Sequence, residues 1–167
     1  MPILDMTALR AALPRDTRLL GLDPGSKTIG LALSDVSLML ATPFAQIPRQ
    51  KLGLTAKALA RIVAEQDIGG LVIGLPLSMD GTAGPAAQAA RDWTHAIAAA
   101  LGLPAAMWDE RLSSAAANRV LIDEMDLSRA RRARLVDAMA ASYMLQAALD
   151  ASRAAPPGAT QAPAGFG

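Results

Sequence analysis

The chain has 167 residues, with 16 basic and 15 acidic side chains and a formal net charge of +1. That length buries roughly 70% of the unfolded chain's surface, enough for a core without cross-links, and the charge balance excludes a histone-like polycation or an acidic solvating tail. The absence of cysteine excludes disulfide frameworks, thiolate metal sites and cysteine nucleophiles, and a single histidine, His95, argues against His-rich metal sites and a Ser-His-Asp triad.

Residues 1–17 read as a short amphipathic extension with Asp5 ahead of any basic residue, which does not resemble a signal peptide. Residues 18–23 read as a strand closed by a Pro24-Gly25-Ser26-Lys27 turn. Residues 28–35 form a second strand in which Ile29, Leu31 and Leu33 alternate with Thr28, Gly30, Ala32 and Ser34, giving one bulky face and one small one. Residues 38–47 form a third strand, weakened by Pro43, and residues 55–66 a helix with Leu59, Ile62 and Val63 on one stripe.

The continuous apolar run 70–75 (GLVIGL) is expected of a strand covered on both faces. A polar loop, 76–84, leads into a helix opened by Pro85 and running to about Leu101; the free amides of a helix start favour anions, although Asp-Gly is equally good turn chemistry. Residues 104–110 form a fifth strand, Ser113 caps a helix to about 124, and Ser128 caps a last helix to about 150. Residues 151–167 hold Pro, Gly and Ala with almost no large apolar group, and are expected to be disordered. The domain is therefore placed at 18–150.

The order βββαβαβαα predicts an α/β fold, a mixed five-stranded sheet with helices on both faces. The longest apolar run, 96–108, is broken by Gly102 and Pro104, so no membrane span is predicted, and the chain is expected to be soluble and cytoplasmic.

The chemistry lies in carboxylates. Asp23 ends a strand, Asp109 and Glu110 end another, and Asp137 is the only charge in an otherwise apolar helical stretch, 135–149. A lone carboxylate in a buried helix is costly unless it is paired or metal-bound; Arg134, one turn back, is the alternative partner. Three acids from separated segments suit hard divalent cations, and an ion pair about 3.5–4 Å apart can activate water and stabilise the leaving oxygen of a phosphodiester. Gly30 opens the small face of its strand to close approach. Lys27 and the cluster Arg129, Arg131, Arg132 and Arg134 suit a phosphate backbone, with a solvated surface as the plainer alternative; Trp93 and His95 read as structural.

The stretches 19–35 (LLGLDPGSKTIGLALSD), 71–93 (LVIGLPLSMDGTAGPAAQAARDW), 108–114 (WDERLSS) and 136–149 (VDAMAASYMLQAAL) together resemble the YqgF/RuvX family of bacterial RNase H-like proteins. That family is described as Holliday junction resolvase-like and as pre-16S rRNA nucleases. The resemblance implies an RNase H-like fold, a Mg²⁺- or Mn²⁺-dependent endonuclease with a two-ion site, and maturation of the 5′ end of precursor 16S rRNA. Carried over by motif, Asp23, Glu110 and Asp137 are the catalytic and metal-binding acids. Asp109 ranks behind Glu110 because adjacent strand residues face opposite ways. Lys27, Arg131, Arg132 and Arg134 are expected to contact structured RNA. Three alternatives stay open: junction-DNA resolution with the same acids, a nucleotide-binding ATPase suggested by the Asp-x-Gly-Ser segment, and a non-catalytic RNA-binding assembly factor.

Overall fold

The computed structural model describes residues 3–75, 84–109 and 129–153, with side chains of the last helix from 136 onward. The expected helix at 113–124, the polar loop at 76–83 and the tail from 154 lie outside the described residues.

In chain order the elements are β1 (Ile3–Leu4), α1 (Met6–Ala12), β2 (Arg18–Pro24), β3 (Thr28–Ser34), β4 (Ala41–Pro48), α2 (Leu52–Glu65), β5 (Ile68–Leu75), α3 (Pro85–Leu101), β6 (Ala105–Asp109) and α4 (Arg129–Ala151). The sheet runs β1-β6-β5-β2-β3-β4. β1, β6, β5 and β2 are mutually parallel, and β2-β3-β4 is an antiparallel meander. The fold is the expected mixed α/β sheet, with six strands among the described residues rather than five. The added strand is Ile3–Leu4, which pairs with Ala105 and Ala106. Two residues carry too short a pattern to read as a strand; a free sheet edge is what recruits them.

The segment after β1 is also built into the fold. Asp5 caps α1 by accepting a hydrogen bond from the Ala8 amide at 2.7 Å. Leu9 is fully buried, and the Arg10 guanidinium donates to the Leu38 carbonyl at 3.2 Å.

Side-chain alternation along the strands sends two sets of residues to opposite faces. Leu20, Leu22, Ile29, Leu31, Leu71 and Ile73 meet Leu59 of α2 and Ile97 of α3 on one face. Leu19, Ala32, Val72 and Ala106 meet α1 and the Ala141–Leu149 part of α4 on the other. The small face of β3 is therefore the one α4 lies on. Its closeness follows from missing side chains: a Cβ on Gly21 would come within 3.1 Å of the Leu145 Cβ. Gln146 pins the same helix to the β3–β4 loop, accepting from the Ala41 amide at 2.8 Å and donating to the Met39 carbonyl at 3.0 Å.

β4 is an edge strand, which tolerates Pro43. It starts at Ala41, not 38, because Leu38 turns through a positive φ of 58°. The ladder shifts by one residue next to Pro43: Ala32 opposes Pro43, Leu31 opposes Ala45, and Phe44 is the extra residue of a bulge. Among the described residues, no helix is long and apolar enough to cross a membrane.

Candidate active site

The site is a row across three strands with a helix laid over it. Asp23 of β2 stands opposite Gly30 of β3, and Gly30 stands opposite Gln46 of β4. Cross-strand partners face the same way at about 4.5–5.5 Å, so all three lie on the α4 face. A Cβ on Gly30 would sit 2.6 Å from the carbonyl carbon of Asp137, and closer still to its oxygen. The backbone of α4 at Asp137 therefore rests directly on Gly30. Asp137 and Asp23 flank that glycine, two carboxylate residues some 110 positions apart in the chain brought to neighbouring places in the fold.

Asp23 sits at the carboxyl end of β2, next to the parallel strand β5, and is only 8% exposed. The carboxyl ends of parallel strands are where open α/β sheets place their ligands. Asp137 is half-buried, and its carboxylate accepts two hydrogen bonds on one oxygen: Thr28 Oγ1 donates to Oδ2 at 2.7 Å, and Gln46 Nε2 donates to the same atom at 2.7 Å. Oδ1 accepts none among the described residues. The charge in the apolar helix is thus held by two neutral donors from the sheet below it.

Thr28 and Gln46 were not candidates from sequence. Thr28 shares the small face of its strand with Gly30, and that alternation could have marked it. Gln46 could not be found this way. Without the bulge at Phe44 it would oppose Ile29 and face the other side of the sheet; the one-residue shift turns it toward Asp137.

Asp109 registers with Leu75, on the face that carries Leu71 and Ile73, opposite Asp23 and Asp137. Glu110 lies outside the described residues, as do the side chains of Arg131, Arg132 and Arg134. Lys27 is exposed on the turn after β2, and its carbonyl accepts from the Arg49 amide at 2.8 Å. Trp93, expected to be structural, packs partly against the core and also carries the Arg49 guanidinium 5.3 Å from its ring centre. Asp23 and Asp137 offer oxygen donors alone, which suits a hard divalent cation and not a thiophilic metal.

A meander followed by parallel strands, with an acid at the end of the first meander strand and a second acid in the last described helix laid over it, is the arrangement of an RNase H-like fold. The family model described as "RuvX: Holliday junction resolvase" matches residues 17–151, and the chain belongs to that family. It is 64% identical over 152 residues to a Gluconacetobacter diazotrophicus protein named "Putative pre-16S rRNA nuclease", covering 91% of this chain and 99% of that one. A Gluconobacter oxydans protein of the same name is 61% identical over 153 residues, covering 92% and 96%. Among solved structures, Thermus thermophilus RuvC in complex with a Holliday junction substrate aligns with a TM-score of 0.51 at 14% identity, over 81% of this chain and 94% of that one, which is a likeness of fold.

Proposed function

We propose that this chain is a divalent-metal-dependent endonuclease that hydrolyses phosphodiesters in structured RNA and matures the 5′ end of precursor 16S rRNA in the cytoplasm. One observation carries the reading: Asp23 and Asp137 flank Gly30 on one face, at the carboxyl end of the parallel strands. The names of the close relatives support the choice of RNA.

In this reading Asp23, Asp137 and Glu110 hold Mg²⁺ or Mn²⁺ as a two-ion site. When bound, such ions supply Lewis-acid activation of the phosphoryl group and stabilisation of the leaving oxygen. The chain's own contribution is orientation. Thr28 and Gln46 fix Oδ2 of Asp137, so the carboxylate presents its other oxygen without searching rotamers. Burial of Asp23 keeps its carboxylate from swinging into solvent. Lys27, Arg131, Arg132 and Arg134 neutralise the substrate backbone.

The test is Asp23→Asn, which preserves shape and removes the charge. Cleavage of precursor rRNA is expected to disappear while the melting temperature changes little. Cleavage by this variant at the unmodified protein's rate refutes the assignment. The family description favours a second reading, resolution of branched DNA by the same acids. Side-by-side cleavage of a four-way junction and a precursor rRNA decides between the two.

A further inference from the structure

A cavity of about 320 Å³ lies behind the turn that follows Asp23. Its walls are Pro24, Gly25 and Ser26 of the turn and the side chain of Arg49; its floor is the surface of α3 at Ala86, Ala89 and Trp93. Trp93 packs on the α2–α3 side of the sheet, so the cavity and Asp137 sit on opposite sides of the same turn.

Arg49 is held in place although it is exposed. Its amide donates to the Lys27 carbonyl at 2.8 Å, its Nη1 donates to the Gly25 carbonyl at 2.8 Å, and its guanidinium carbon stands 5.3 Å from the centre of the Trp93 ring. Fixing a long, exposed side chain costs up to about 2 kcal/mol of rotamer freedom. Here one side-chain bond to the Gly25 carbonyl and a ring contact offset that cost, while the amide bond to Lys27 fixes the backbone beneath it. The product is a flat cation backed by an indole, with Lys27 exposed beside it and a small-residue floor in front.

That combination matches one chemistry. An unpaired nucleobase stacks on arginine planes and aromatic rings whatever its sequence, and its phosphate seeks a neighbouring ammonium. A bare phosphate would gain nothing from the alanine floor. Pro24, in the cavity wall, is bonded to Asp23, about 3.8 Å away between Cα atoms. Adjacent strand residues face opposite ways, so an occupant of the cavity and whatever Asp23 holds lie on the two sides of one turn.

We infer that the Arg49–Trp93 cleft seats one unpaired nucleotide of the nucleic-acid strand, across the β2–β3 turn from the phosphodiester held at Asp23, with its base on Arg49 and its phosphate toward Lys27. This rests on the nuclease reading and adds a subsite to it: the strand is unpaired on that side of the cut.

The test measures binding of a short single-stranded RNA to the full chain in EDTA, with the strand checked to be intact, while an abasic nucleotide is walked through the sequence. The same series is repeated in DNA, which reports whether the ribose hydroxyl matters. One abasic position is expected to weaken binding by about 5- to 150-fold, the range for a lost stacked base. Arg49→Ala and Ala89→Leu, which fills the cavity from an exposed helix position, are expected to bind more weakly and to lose the penalty at that position. Arg49→Lys, which keeps the charge without the plane, is expected to lose it as well. The cleft reading fails if no abasic position matters, or if the three variants keep the same penalty as the unmodified protein. If they keep it while Asp23→Asn abolishes cleavage, the nuclease reading stands and the subsite falls. If the penalty is lost in the variants but Asp23→Asn still cuts, the subsite stands and the acid assignment falls. Should the unmodified protein bind neither strand, the subsite falls, and the nuclease reading is decided by Asp23→Asn.

Discussion

Gly30→Ala tests the closest approach in the molecule. The added Cβ would stand 2.6 Å from the Asp137 carbonyl carbon, whereas ordinary carbon–carbon contact needs about 3.5–4.0 Å. The atom in the way is backbone, within a helix of 23 residues that Gln146 ties to the β3–β4 loop, so no single side chain can turn aside. The helix must lift by about 1 Å at Asp137, and overpacking of this kind costs about 1–3 kcal/mol. For a domain of this size that lowers the melting temperature by about 2–12 °C. A catalytic group displaced by about 1 Å loses about 100-fold in rate. Gly21→Ala is the control. Its Cβ would meet the Leu145 side chain at 3.1 Å, and a leucine rotamer can give way. The assays are thermal unfolding and cleavage of a precursor rRNA. The expected order is a larger loss of both stability and activity for Gly30→Ala. If Gly30→Ala unfolds and cuts like Gly21→Ala, the helix is not seated on the strand as described.

Two further outcomes follow from the hydrogen bonds. Gln46→Leu removes one of the two donors to Asp137 Oδ2, and a bond to a charged acceptor contributes about 1.5–3 kcal/mol. The variant is expected to bind Mn²⁺ more weakly by isothermal titration, and unchanged affinity would remove Gln46 from the site. Asp35 provides a pH readout away from the site. Desolvation pushes its carboxyl up, but the Leu40 and Met39 amides, bonded to Oδ1 at 3.1 and 2.8 Å, outweigh it and hold the group below its ordinary value. The unfolded chain then binds the proton more readily, so stability rises with pH across that range. The contribution is present above about pH 4, the ordinary carboxylate value, and is lost as pH falls through the depressed value in the folded protein. Asp35→Asn is expected to flatten the acid limb of a plot of stability against pH, and an unchanged limb would contradict the assignment.

Much of this fold was legible in the sequence because its rules are local. The alternation of bulky and small residues in 28–34 assigned the two faces of β3, and those faces carry the two halves of the core. Pro85 at the first helical position set the start of α3. The apolar run ending at Leu75 marked a strand covered on both sides, and all eight of its residues are buried. Asp23, at a strand end before a Pro-Gly turn, and Asp137, the only charge in the apolar stretch 135–149, are marked by the sequence alone.

The rest depended on contacts between distant segments, which no local pattern encodes. Ile3–Leu4 is a strand only because β6 offers it an edge. Gln46 faces Asp137 only because one bulged residue inverts the side-chain alternation of β4, and a slip of one residue exchanges every face beyond it. Arg49 and Trp93 lie 44 positions apart and meet only where β4 ends beside α3. Composition and period determine which residues are buried and which kind of element they form; register and the seating of one helix on one glycine decide which side chains share a site.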